Sequence, residues 1–258
     1  MKNIKNGDKI KIMCIGDSIT FGYKVPGSYR KFLYNGLTKK GYKIKMIGSK
    51  QGSQTSFKDE NTGEIFTYED DNTGYNAYAI KAFNNRNGIY EMLKETNCLS
   101  QKPDIIILQI GTNNVVDKYN QDKNSKDYDI LLDYILENIP SSSMFFVATI
   151  PDVDPNRQDV YNWFSNYRYS DDKKINYNDN EVEVKIKEFL DNFNKDICEK
   201  VHKKNELGIK NIRIGNVNSA ITDVKIQLFD GVHPNDIGYK AMGEYWTNII
   251  DKYLLENK

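Results

Sequence analysis

The sequence is short of cysteine, of net charge and of long apolar runs, and each shortage excludes something. Its three cysteines, Cys14, Cys98 and Cys198, form no CxxC pair and are odd in number, which argues against a disulfide framework. Unpaired thiols are the expectation. Thirty-six Lys plus Arg balance thirty-six Asp plus Glu, so the formal net charge is zero and no overall field would steer the protein to nucleic acid or to an anionic membrane. No apolar run reaches the roughly 20 residues that a bilayer span needs. A chain that is 39% hydrophobic and 28% charged has the composition of a soluble globular protein. Residues 1 to 9 are polar and lack the apolar stretch of a secretory signal. As given, the chain is therefore expected in the cytoplasm, or else as a domain of a longer secreted protein.

What is present is a rhythm. Short runs rich in Ile and Val alternate with longer amphipathic stretches, the pattern of β/α units that build a parallel sheet. Strands are predicted over Ile10 to Ile15, Lys43 to Ile47, Asp104 to Ile110, Met144 to Thr149 and Asn211 to Ile214, with helices between them. The run Ile105 to Ile110 does not alternate with polar residues, so it should be a central strand covered on both faces. In the segment Tyr128 to Ile139, Ile130, Leu131, Tyr134, Ile135 and Asn138 fall at helical spacing, and the C-terminal segment has a similar stripe. Residues 49 to 73 and 151 to 180 are polar and read as long loops, of the kind that carries ligands at the ends of parallel strands. The acidic pairs Asp70 with Asp71 and Asp152 with Asp154 read there as solvated charge rather than a cation site. No repeat, linker or change in composition divides the chain, so a single domain over residues 1 to 258 is expected.

Three pieces could carry chemistry. The first strand runs directly into Asp17, Ser18, Ile19 and Thr20, which either cap the next helix or present the Ser18 hydroxyl to a ligand from a rigid scaffold. Just before the last helix stands Asp230, Gly231, Val232, His233. A serine hydroxyl needs a neighbouring base, and an imidazole held by a carboxylate is the usual one. Three residues apart, Asp230 and His233 can hydrogen-bond locally and leave the other ring nitrogen for Ser18. The other reading of that segment is a helix-start turn whose polar side chains only satisfy the backbone. His202, flanked by charged residues, reads as a solvated surface side chain. After the most buried strand come Gly111, Thr112, Asn113 and Asn114, either an ordinary turn or the source of a side-chain amide aimed into a cleft at the strand ends. All three pieces should lie at one end of the sheet.

The blocks GDSIT, GTNN and DGVHPN, in this order and at these distances, resemble those of the SGNH (GDSL-like) hydrolase superfamily. Further stretches, Gly27 to Ser49, Ala148 to Asp152 and His233 to Trp246, resemble the acetylxylan esterases of carbohydrate esterase family 3. The resemblance implies a flavodoxin-like three-layer α/β/α sandwich with a central five-stranded parallel sheet. It also implies a triad of Ser18, His233 and Asp230, with the Ser18 N–H and the Asn113 amide in an oxyanion hole. The remaining donor of the family is a glycine N–H in a stretch that aligns with Asn72 to Ile80. Gly74 is one candidate, but the preferred alignment puts Ala77 there, a departure that retains the N–H while changing the backbone conformations open to it. No metal or organic cofactor is implied.

The expected activity is hydrolysis of short acyl esters, chiefly acetyl, on a carbohydrate such as xylan. Asp17, Tyr75, Tyr161 and Trp163 are candidate substrate contacts, and Tyr167 and Tyr169 add to an aromatic cluster that could face sugar rings. The alternatives are a lysophospholipase or thioesterase, a deacetylase of other glycans, and a non-catalytic carbohydrate-binding domain.

Overall fold

The computed structural model describes residues 8–52, 54–59, 62–83, 85–117, 121–160 and 179–257. Five parallel strands, β1 (Lys9–Gly16), β2 (Lys43–Ile47), β6 (Ile105–Gln109), β7 (Met144–Ala148) and β8 (Ile212–Gly215), lie in the order β2-β1-β6-β7-β8. Each predicted strand is present within a residue or two of its expected ends. The two-residue β5 (Thr73–Gly74) adds to the end of β1 through Ile15 and Gly16.

Both faces of this sheet are covered at its centre, which is why β6 and β7 lack polar alternation, whereas the edge strand β2 keeps Lys43 and Lys45 exposed. Met13 and Ile15 of β1, Ile106 and Leu108 of β6, and Phe145 and Val147 of β7 point into one core. That core is closed by α3 (Ile89–Thr96), α5 (Gln121–Asn138) and α6 (Asp179–Glu206). Ile12 and Cys14, Ile105 and Ile107, and Met144 and Phe146 point the other way, against α2 (Ser28–Lys39) and α8 (Asp236–Glu256). The period-2 alternation of side chains along each strand thus builds two cores from one apolar run. The result is the expected three-layer α/β/α sandwich.

On the second face, α2 and α8 approach closely enough that two positions must be glycine. A Cβ on Gly36 would stand 2.4 Å from the Thr247 hydroxyl oxygen, and one on Gly243 would stand 2.8 Å from the Tyr29 carbonyl oxygen.

Three expectations are corrected. Residues 49 to 73 are not a plain loop: β3 (Gln54–Lys58) and β4 (Ile65–Glu69) form an antiparallel hairpin. It packs on α2 through Phe57 against Phe32 (centroids 6.0 Å apart) and Tyr68 stacked on Tyr34 at 4.6 Å. Nor is the acid there all solvated, because Asp70 is buried and paired with Arg30, and Asp154 is buried with its carboxylate accepting the Asn156 N–H. In α5 the stripe is shifted: Tyr128, Leu131, Leu132 and Ile135 are buried while Ile130 is 40% exposed. The helix starts at Gln121, earlier than predicted, and Tyr128 takes the core position.

Candidate active site

β1 delivers Asp17 and Ser18 to the carboxyl end of the sheet, where the chain turns at once into the short helix α1 (Ser18–Phe21). Asp17 is its N-cap, its Oδ1 accepting the Ile19 N–H at 3.0 Å. The two readings of this segment therefore coexist: Asp17 caps while Ser18, partly exposed, presents its hydroxyl. The turn closes at Gly22, which takes φ 87° and donates its N–H to the Ser18 carbonyl. Expected as a substrate contact, Asp17 is instead 1% exposed, and its Oδ2 meets no hydrogen-bond partner among the described residues. Burial pushes its carboxyl up to about 6, against the opposing pull of the Ile19 N–H, His233 and Arg86.

His233 reaches Ser18 from the other side. The segment before α8 is pinched by a bridge between Leu228 and Pro234 and by the Phe229 N–H donating to the His233 carbonyl at 3.0 Å. Inside that pinch, Asp230 Oδ1 accepts the N–H groups of Val232 (3.0 Å) and His233 (2.8 Å), and Oδ2 lies 2.7 Å from His233 Nδ1. His233 Nε2 is 2.8 Å from Ser18 Oγ, a contact across 215 positions of sequence. Burial favours a neutral Asp230, but the bonds from the His233 side chain and backbone outweigh it and hold the carboxyl below its ordinary value. An ionised Asp230 can only accept, so Nδ1 carries the imidazole proton and Nε2 is left to accept from Ser18. The ring is packed by Tyr23 (4.8 Å) and Phe229 (5.8 Å).

Asn113 belongs to α4 (Thr112–Val116), which follows β6 directly, so the expected turn is the start of a helix. Its Nδ2 donates to the Tyr78 carbonyl at 2.8 Å, which leaves the second amide hydrogen uncommitted by that bond. Asn114 points elsewhere, accepting the Ile80 N–H and donating to Asn124.

The loop after β5 separates its two candidate donors. The Gly74 N–H is taken by Asn72 Oδ1 at 3.0 Å, and the amides of Tyr75, Tyr78, Ala79 and Ile80 are bonded to Gly16, Tyr75, Asn87 and Asn114. Ala77 is exposed and adopts φ 62°, the left-handed region where glycine is at ease and alanine is strained. Tyr75 is partly buried, its hydroxyl 2.9 Å from Ser49 Oγ and its ring under the Lys50 ammonium at 3.9 Å. Tyr161, Trp163, Tyr167 and Tyr169 lie outside the described residues. His202 is on the surface, where Nε2 meets Glu206 at 3.1 Å.

Two arginines escaped the sequence reading. Arg30 is buried and forks onto Asp70 with Nε (2.8 Å) and Nη2 (2.7 Å), while Nη1 donates to the Thr20 carbonyl and to Ser28 Oγ, tying α1 to α2. Arg86 binds Asp117 through Nε and Nη2 and the Ala77 carbonyl through Nη1. Arg30 lies within the Gly27 to Ser49 stretch with nothing in its spacing to single it out, Arg86 lies in no such stretch, and their partners are 40 and 31 positions away. Among the described residues no group of three or more His, Cys, Asp or Glu is placed to hold a metal ion.

A serine hydroxyl, an imidazole and a carboxylate in hydrogen-bonded series at the strand ends of an α/β/α sandwich are the arrangement that acyl-transfer hydrolases use. Comparison with known proteins narrows the class. Residues 12–246 match the family described as GDSL-like lipase/acylhydrolase, and the chain belongs to that family of ester hydrolases. A multidomain esterase of Ruminococcus flavefaciens is 35% identical over 252 residues, 95% of this chain and 29% of that protein. The chain thus spans about three tenths of that relative's length. The fold is shared with a family 3 carbohydrate esterase of Clostridium thermocellum, at a TM-score of 0.60 and 24% identity over 96% of this chain and 98% of the other. An acetylxylan esterase of Geobacillus stearothermophilus matches with a TM-score of 0.60 at 16% identity, covering 96% of each chain.

Proposed function

We propose that this chain is a single catalytic domain that removes short acyl groups, chiefly acetyl, from carbohydrate esters such as acetylated xylan, through an acyl-enzyme on Ser18. The observation that carries the reading is the unbroken series from Ser18 Oγ to His233 Nε2 at 2.8 Å and from His233 Nδ1 to Asp230 at 2.7 Å. As Ser18 Oγ attacks the ester carbonyl carbon, its proton passes to Nε2, and Asp230 stabilises the imidazolium that forms. The carbonyl oxygen takes up negative charge against the N–H groups of Ser18 and Ala77 and the free amide hydrogen of Asn113. His233 then returns the proton to the departing alcohol. A water, deprotonated by the same imidazole, attacks the acyl carbon and releases the acid, restoring Ser18. Of the two loop donors considered, Ala77 is preferred because the Gly74 N–H is already engaged.

The carbohydrate assignment rests on the descriptions of the relatives above as carbohydrate and acetylxylan esterases. Tyr23, exposed beside His233, supports it by offering a flat face near the scissile bond. The test is hydrolysis of 4-nitrophenyl acetate, butyrate and octanoate, with acetylated xylan in parallel, by wild type and Ser18→Ala. Preference for acetate, release of acetate from xylan, and loss of both in the variant are expected. A preference for octanoate would overturn the carbohydrate assignment, and turnover that survives Ser18→Ala would overturn the mechanism.

A further inference from the structure

We infer that Arg86 is a positioning residue that holds the Ala77 loop and the Asn113 helix in the one relative placement where their amides converge on the oxyanion. The inference rests on the proposed serine mechanism and goes beyond it, since neither the triad nor the oxyanion donors include this arginine.

The need for such a group follows from Ala77. An alanine at φ 62° is held in a region that is unfavourable for an L-residue, and such residues persist only where the surroundings over-determine them. The neighbouring Asn76 and Ala77 side chains are exposed, so packing does not supply the constraint. A turn bond from the Tyr78 N–H to the Tyr75 carbonyl (3.3 Å) closes around Ala77, and Arg86 adds to it from outside the turn, donating Nη1 to the Ala77 carbonyl at 3.0 Å. Its own backbone is fixed by paired bonds with Phe83, at 3.2 and 2.9 Å.

The rest of the guanidinium looks the other way. Nη2 donates to Asp117 Oδ1 at 2.9 Å and Nε donates to Oδ2. Asp117 is fully buried and is the C-cap of α4, with its N–H bonded to the Asn113 carbonyl at 3.0 Å. One rigid, planar fork therefore spans from the loop that presents one donor to the helix that presents the other. A second strut runs parallel to it, the Asn113 Nδ2 bond to the Tyr78 carbonyl. Lysine could neutralise Asp117, but a single ammonium lacks the fork needed to serve both acceptors in this geometry.

The experiment compares wild type, Arg86→Lys, Asp117→Asn and Ser18→Ala on 4-nitrophenyl acetate, with kcat and KM measured separately and the folded fraction followed by circular dichroism. A donor displaced by about 1 Å loses on the order of a hundredfold in rate. Arg86→Lys is therefore expected to lose roughly ten- to a hundredfold in kcat per folded molecule, with KM within about twofold. A purely structural arginine would instead lower the folded fraction and leave kcat per folded molecule unchanged. Should Arg86→Lys not fold, Asp117→Asn carries the same test, because it keeps the shape of the buried partner while loosening its grip on the fork. An unchanged kcat in whichever of the two folds overturns the inference. When Ser18→Ala is inactive at the same time, the serine mechanism stands without it; turnover retained by Ser18→Ala removes the mechanism and the inference together.

Discussion

Asp17→Asn should change how stability depends on pH while leaving the helix cap in place, because an asparagine oxygen can accept the Ile19 N–H as the aspartate does. In the native protein burial raises the Asp17 carboxyl from 3.8 to about 6. In the unfolded chain it titrates near the ordinary value. Between about pH 4 and pH 6 the native state therefore binds more protons than the unfolded state, and the stability contributed by this group falls as pH rises through that window. A shift of about two units corresponds to about 3 kcal/mol. The carboxyl is fully buried, so solvent does little to screen that difference. The assay is urea unfolding of wild type and Asp17→Asn at pH 4, 5, 6 and 7, because the difference between the two proteins cancels groups not coupled to Asp17. Wild type should lose roughly 2 to 3 kcal/mol relative to the variant between pH 4 and pH 7, since part of the full difference is already lost by pH 4. A difference that stays flat to within about 0.5 kcal/mol would refute the claim that burial raises the Asp17 carboxyl.

Two further variants separate chemistry from packing. Asn113→Ala removes one oxyanion donor and the strut to Tyr78, so kcat should fall on the order of 10² to 10³ with KM little changed; steady-state kinetics on 4-nitrophenyl acetate decides it. Trp246→Ala empties a fully buried position that packs edge-on against Phe146 at 6.0 Å. It should cost about 3 kcal/mol in chemical denaturation, the lower end for such truncations, because the lost indole N–H has no hydrogen-bond partner among the described residues. The molecules that remain folded should keep wild-type kcat.

Much of this protein is local, and what is local is legible in the sequence. The central strands β6 and β7 show as apolar runs because a strand buried on both faces has few polar positions to interrupt it. The Asp230 to His233 pairing is a matter of three residues in one turn, and the position of Ser18 at the end of β1 is set by where that apolar run stops. The hairpin at 54–69 was hidden because its apolar residues, Phe57, Phe66 and Tyr68, alternate with polar ones in two five-residue strands, too short to stand out from a polar neighbourhood. The Arg30 pairing with Asp70, the fork of Arg86 and the left-handed Ala77 left no trace in spacing. The two arginine–aspartate pairs join segments 40 and 31 positions apart, and Arg86 reaches the Ala77 carbonyl from nine positions away. Sequence determined which groups could react and which end of the sheet they occupy. Tertiary packing alone decided which buried charges pair and which loop amides are engaged within the fold, because those outcomes are set by distances of about 3 Å between atoms that the chain order does not bring close.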